Sequence, residues 1–316
     1  MLGEACALGA ALCWSWSVVL FKRSERISPQ GMNLFKNAVA LALLGVTLLV
    51  TGGRLDAQRS MADWARLIVS GALGLALADT LIFMALKRLG AGLLAIVDCT
   101  YAPVIVVMSV LFLDERVTVM LLVGAALVLG GVLAATVERA PSDAAATSQV
   151  GRDAAASSPT EPASSSRTPM RERATGIVLG ALGIAAMGVG VVLAKPVLET
   201  SSLVEVTFVR LAAGVGGQLA WMAVVPSQRV ALEALRPQPA WRTLAPAAVL
   251  GTYVSMLLWL GGFKWASASR AAVLNQMASV FTLVLARIYL GEALTRRRAL
   301  GAALAVAGAI AIVASR

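Results

Sequence analysis

The sequence predicts an all-α integral membrane protein with ten transmembrane helices in two inverted five-helix repeats. Three observations predict it. Of 316 residues, 59% are hydrophobic and 14% charged, with a mean hydropathy of +0.81. A water-soluble domain carries about 25% charged and roughly 45–50% apolar residues, so two soluble cores could not hide this apolar surface and lipid must act as solvent. Apolar runs also recur at about 20 residues, the length that crosses a hydrocarbon core near 30 Å thick at 1.5 Å per residue. Finally, the second half of the chain repeats the first.

The first repeat, residues 1–137, holds spans near 3–21, 32–51, 65–86, 91–113 and 117–137. The first span lacks the basic lead of a signal peptide and reads as a mature helix closed by Lys22-Arg23. The second ends at Gly52-Gly53-Arg54. Spans three and four form a hairpin whose tip lies at 88–89, beside Lys87-Arg88, and a short turn leads into span five. Residues 138–173 are rich in Ser, Ala, Pro and Arg with almost no large apolar side chains, which predicts a disordered linker. The second repeat, 174–316, holds spans near 174–194, 203–225, 241–262, 267–290 and 298–315, the last at the Arg296-Arg297-Arg298 run.

Sliding residues 72–136 by 177 positions onto 249–313 makes 16 of 65 residues coincide without a gap. Chance gives roughly one in ten in so biased a composition, and self-similarity at a fixed shift is the mark of a repeat. Leu73-Gly74 recurs as Leu250-Gly251, Lys87 as Lys264, and Gly124-Ala125-Ala126-Leu127 as Gly301-Ala302-Ala303-Leu304. Leu113-x-Glu115-x-x-Thr118 recurs as Leu290-x-Glu292-x-x-Thr295. A shift of 173 places Gly3 on Gly176 and Lys22 on Lys195. Because five is odd, consecutive five-helix repeats enter the membrane from opposite sides. That is a transporter's design, with a site near mid-membrane opened alternately to each face.

The five-plus-five helices, the repeated L-x-E-x-x-T signature and the G-A-A-L run after it resemble the drug/metabolite transporter superfamily, and within it the EamA-type permeases. The resemblance covers everything but the linker. It implies a ten-helix permease of the cytoplasmic membrane that moves small organic metabolites, often outward, including amino acids and amines. The long linker departs from compact members, as does Val280 where the first half has Pro103.

Asp79 and Asp98 are the charges deepest inside spans, where a carboxylate usually faces a cavity or a partner. Counted from the hairpin tip, both lie about 14 Å deep, nearly level. Together they suit proton coupling or amine binding; alternatively, each is neutral or caps a backbone group. The second repeat has Asn275 where the first has Asp98, with Gln276 beside it, so Asp98 and Asn275 suit a polar site across the pseudo-twofold. Trp14, Trp16, Tyr101 and Tyr253 line such a pocket or serve as packing and belt residues. Lys22 and Lys195 end the first helix of each repeat, Lys36 and Arg210 lie near the start of the second, and Arg270 starts span nine. All five basic residues either meet an anionic substrate at a cavity mouth or snorkel to headgroups. Glu115 and Glu292 belong to a gate or ion path, or sit favourably beside the next helix's N-terminus, where Thr118 and Thr295 suit N-caps. Gly176-x3-Gly180 and the Gly124 and Gly301 runs allow close helix contact.

The net charge of +10 and pI near 10.4 would suggest nucleic acid in a soluble protein, but the basic residues here flank apolar runs as topology anchors. No nucleic-acid partner is expected. Histidine is absent and Cys6, Cys13 and Cys99 lack metal-ligand spacing, so no metal site is expected. No nucleophile motif or phosphate-binding loop points to catalysis or a cofactor. Orientation is contested: cytoplasmic termini would put 9 Lys/Arg on the cytoplasmic side against 18 opposite, against the positive-inside rule but in line with the resemblance. The pattern therefore predicts a permease for an amino-acid-like or amine metabolite, an exporter working by alternating access and coupled to protons. The rival is a membrane sensor or scaffold acting through the linker. Monomer and homodimer stay open.

Overall fold

A computed structural model describes residues 1–22, 27–53, 55–136, 170–290 and 295–314. Helices α1 (Leu2–Lys22) and α2 (Pro29–Val50) come first. Next, α3 (Met61–Gly71) passes through a π-helical stretch, Ala72–Leu77, into α4 (Ala78–Asp98). Helices α5 (Tyr101–Leu113) and α6 (Val119–Thr136) complete the first repeat. The second repeat comprises α7 (Met170–Thr200), α8 (Leu203–Val224), a 3-10 segment (Pro226–Leu235) and α9 (Trp241–Ala248). A second π-helical stretch, Val249–Val254, then leads into α10 (Ser255–Trp265), α11 (Ala268–Asn275), α12 (Met277–Leu290) and α13 (Arg296–Ala314).

Eight of these helical runs are long and apolar enough to cross a membrane, and Tyr101–Leu113 and Val119–Ala135 are shorter apolar helices, against ten full spans expected. Half of the shortfall has a structural origin. Span four is cut at Cys99–Thr100, leaving a 13-residue α5. The inner face of the bundle is a large buried cluster of Ala, Val, Leu and Ile. Large apolar side chains such as Val46, Leu111, Phe112, Val178 and Ile310 point outward, as lipid contact requires.

Local chemistry sets most helix starts. Ser28 caps α2 through the amide of Gly31 and Pro29 takes the first helical position, where its missing N–H costs nothing. Ser60 caps α3 and its hydroxyl donates back to Asp63 at 2.9 Å. Thr118 accepts from the Leu121 amide at 3.2 Å and Thr295 from that of Arg298 at 3.4 Å, so both act as N-caps.

One sequence boundary is corrected and two connections gain detail. Helix α7 begins at Met170, inside the expected linker, and runs on to Thr200; residues 137–169 lie outside the described ones. The connection 226–240 contains a 3-10 segment tied down by Ala231 and Ala234. Third, helical backbone continues through the hairpin tip at 88–89 as far as Asp98. The chain nevertheless reverses there. Gly176, Gly183 and Gly190 of α7 face Leu89, Ala78 and Gly74 in turn, an antiparallel run, yet Gly188 faces Val104 and Ile105. A straight helix would carry Val104 about 22 Å past Leu89, so α4 must double back.

The repeat is visible in packing. Gly124 lies against Gly308 and Gly131 against Gly301, so α6 and α13 are antiparallel and touch through glycine. Exchanging the repeats by the 177-residue shift turns one contact into the other. Two more contact pairs behave alike: Gly3 on Ala266 with Gly176 on Leu89, and Gly251 on Ser17 with Gly74 on Gly190. Equivalent helices of the two repeats are thus related by a pseudo-twofold.

Candidate functional site

The two π-helical stretches are themselves equivalent: Ala72–Leu77 shifted by 177 is Val249–Val254. Each contains the repeated Leu-Gly pair. The breaks in span four are equivalent as well, at Cys99–Thr100 and at Gln276. Pro103 is not their cause, because the second break occurs with Val280 in its place. The breaks meet: Gln276 Nε2 donates to the Asp98 carbonyl at 3.1 Å. Wide helical turns and interrupted helices at membrane depth persist where they line a cavity.

They line one here, of about 330 Å³. Of the eight residues put forward for a central site, Trp14, Asp79, Asp98, Tyr101, Asn275 and Gln276 stand on its wall, whereas Trp16 and Tyr253 do not. The apolar part comes from Leu75, Ile82, Met187, Met256 and Trp259. Lys36 and Arg210 also line it, deeper than the cavity mouth expected for them.

Asp79 is paired with a lysine. Its Oδ2 lies 3.7 Å from Lys36 Nζ, beyond hydrogen-bond reach. Lys36 donates to Asn37 Oδ1 at 3.0 Å, Asn37 donates on to Asn33 at 3.3 Å, and the ammonium stands 6.0 Å above the Trp14 ring. Arg210, 2% exposed, stacks its guanidinium 5.7 Å from the Trp259 ring, while Nε and Nη1 donate no hydrogen bond. The Tyr101 hydroxyl and Thr252 Oγ1 are likewise buried without a hydrogen-bond partner. Asp98 is exposed to the cavity, and its carboxylate meets no cation among the described residues. Buried polar groups are normally satisfied, so orphans gathered on one cavity wall indicate a surface shaped for a polar guest.

The remaining basic candidates lie elsewhere. Lys195 sits in a second, more polar cavity with Glu199, Lys264 and Glu115. It donates to the Phe263 carbonyl at 2.9 Å and pairs with Glu199 at 2.7 Å, while Lys264 donates to the Ser201 carbonyl at 2.7 Å and to that of Leu198. Each lysine thus caps the C-terminal end of the other's helix, a favourable place for a cation. Arg270 lies 3.8 Å from Glu4. The Lys22 side chain and Glu292 lie outside the described residues.

Glu115 serves a helix N-terminus, but not its neighbour's. It accepts from the Ala268 amide at 2.5 Å, the Ser269 amide at 3.1 Å and the Ser269 hydroxyl at 2.8 Å, capping α11 of the other repeat. Asp114, in the left-handed region at φ 52°, turns the chain to aim it. Sequence reasoning missed a second tie at this end: Arg59 pairs with Glu205 at 3.0 Å and bonds Ser201 at 3.1 Å. No local pattern signals a pair so far apart in the chain. Tyr253 bonds Thr47 at 2.7 Å and Trp16 packs on Tyr289, outside the cavity.

This arrangement, two repeats crossing over a cavity with polar groups on a largely apolar wall, agrees with the sequence comparison. The model of the EamA-like transporter family matches residues 1–137 and 174–314. The chain belongs to the EamA-like transporter family. Members are transporters, which assigns this EamA-like protein to the membrane as a multi-pass chain acting on small molecules. No curated protein matches it. One crystallised protein, 18% identical, superposes with a TM-score of 0.74 over 99% of this chain and 96% of its own. At that identity the likeness establishes the fold alone.

Proposed function

We propose that this EamA-like protein is a carrier of the cytoplasmic membrane that exports a small amine or amino-acid-like metabolite by alternating access. In this reading, spans four and five cross the membrane with their broken and shortened helices, giving ten crossings in two inverted repeats. One observation carries it: Asp79, Asp98, Asn275 and Gln276, drawn from both repeats, share one cavity where the two helix breaks touch. A site on the repeat interface is reached from either face when one bundle rocks against the other.

Asp79 and Asp98 are the proton-coupling groups. The Lys36 ammonium competes with a proton for Asp79, whereas Asp98 is free to exchange a proton for a cationic substrate group. The test uses purified protein in liposomes with a pH-sensitive dye inside and a panel of amines and amino acids outside. A substrate-dependent proton flux that disappears in Asp98→Asn is expected. Undiminished pH-dependent transport by that variant would remove the coupling role.

A further inference from the structure

We infer that the transported molecule is a zwitterion whose carboxylate docks on Arg210 and whose ammonium group faces Asp98. This rests on the carrier reading and narrows it. The argument begins with charge balance on the cavity wall. Lys36 and Asp79 lie 3.7 Å apart and neutralise each other, which leaves one cation, Arg210, and one anion, Asp98. Neither has an oppositely charged side chain beside it among the described residues.

Arg210 carries most of the weight. A buried lysine relieves its burial by shedding a proton; a guanidinium does not. Held at 2% exposure with Nε and Nη1 unbonded, it demands an anion from outside the chain. The backbone is shaped to hold it there. Gly71 packs on the Arg210 carbonyl, and a Cβ on Gly74 would stand 3.6 Å from Nη2, so Cβ-less backbone borders the guanidinium on one side. The Trp259 ring covers it at 5.7 Å. What remains is the planar fork that matches a carboxylate through two parallel hydrogen bonds. The Tyr101 hydroxyl, also buried and unpartnered, is a further donor on the same wall.

A simple amine would satisfy Asp98 and leave Arg210 uncompensated; a simple carboxylic acid would do the reverse. Only a molecule with both charges answers both, and its apolar portion meets Leu75, Ile82 and Met256 in the 330 Å³ cavity.

Three probes with one branched side chain separate these cases: leucine, 3-methylbutylamine and 4-methylpentanoate. Thermal unfolding of the purified full-length protein is followed with each. Leucine is expected to raise Tm most, the acid less and the amine least. In Arg210→Met, leucine and the acid should bind at least tenfold more weakly, while the unliganded variant melts higher because a buried unpaired cation is gone. Should that variant not fold, Arg210→Lys, which keeps charge without the fork, is expected to lose at least tenfold for leucine. Equal shifts by amine and leucine, leucine binding unchanged in either variant, or no shift with either carboxylate probe would overturn the proposal. Counterflow of labelled leucine in liposomes separates it from the carrier reading. Binding without exchange refutes the carrier and keeps the zwitterion site; exchange of the amine but not leucine does the opposite.

Discussion

Replacing Gly131 by alanine tests the crossing of the two repeats where the structure makes it tightest. A Cβ at Gly131 would stand 2.5 Å from Ala305 N and 3.0 Å from Ala305 Cα, and would press on the Gly301 carbonyl. Ordinary contact begins near 3.4 Å, so α6 and α13 must part by about 0.9 Å, the difference 3.4 − 2.5. No rotamer change absorbs this, because the obstacles are backbone atoms. Overpacking of this kind costs ~1–3 kcal/mol, against which alanine gains ~1 kcal/mol over glycine in a helix interior. The net loss is then about 1–2 kcal/mol at the upper half of that range. Gly130 supplies the control: nothing lies within 4 Å of its Cβ position, so its alanine variant should gain up to ~1 kcal/mol. Adjacent glycines are thus expected to move stability in opposite directions. The assay is thermal unfolding with a thiol-reactive fluorogenic dye, since Cys6 and Cys99 are buried thiols outside any disulfide and become reactive on unfolding. Gly301→Ala should act like Gly131→Ala, its Cβ falling 2.6 Å from the Gly131 carbonyl. The two together should cost less than their sum, because one separation of the helices serves both. Equal Tm values for the Gly130 and Gly131 variants would refute the contact and, with it, the pseudo-twofold read from it.

Arg59→Met should destabilise by ~3–5 kcal/mol, because it leaves the Glu205 carboxylate buried without its cation, and Arg59→Met combined with Glu205→Leu should recover most of the loss; chemical denaturation measures both. Glu115→Gln is expected to cost ~1–2 kcal/mol through the N-terminus of α11, whereas Glu115→Ala, which removes both acceptors of three hydrogen bonds, should cost more. Lys36→Met should leave Asp79 without its cation and alter the pH profile of substrate-dependent proton flux, with Asp79→Asn in the same chain removing the effect of the lysine substitution. Deleting residues 140–165 should leave liposome flux intact; a chain that transports nothing yet loses a cellular phenotype on this deletion would act through its linker instead.

Much of the fold was legible because membrane insertion is read from composition along the chain. The repeat was legible because equal backbones need equal glycines: Leu73-Gly74 and Leu250-Gly251 mark the π-helical stretches, and Gly124 and Gly301 belong to the α6–α13 contact. The span-four breaks were not. They are carried by no breaker common to both repeats: Val280 replaces Pro103, and the polar residues at the breaks, Asp98 and Thr100 in one repeat and Asn275 and Gln276 in the other, do not by themselves stop a helix. The hairpin tip was placed correctly from Lys87-Arg88, although the backbone stays helical through it. Glu115 was recognised as an N-terminal residue but assigned to the adjacent helix, since spacing along the chain cannot show a helix from the other repeat.

The sequence by itself determined the solvent of this protein, its segmentation and its twofold relation, because hydropathy and self-similarity are properties of position along one chain. Tertiary structure decided which polar groups meet. Spans that are apolar on every side carry little record of which face turns inward, so the pairing of Lys36 with Asp79 and the lone burial of Arg210 were settled by helix rotation and packing. The same packing sent Lys195 and Arg270 to a different end of the bundle. Small residues at the crossings fixed those rotations, since only faces without a Cβ let the backbones approach.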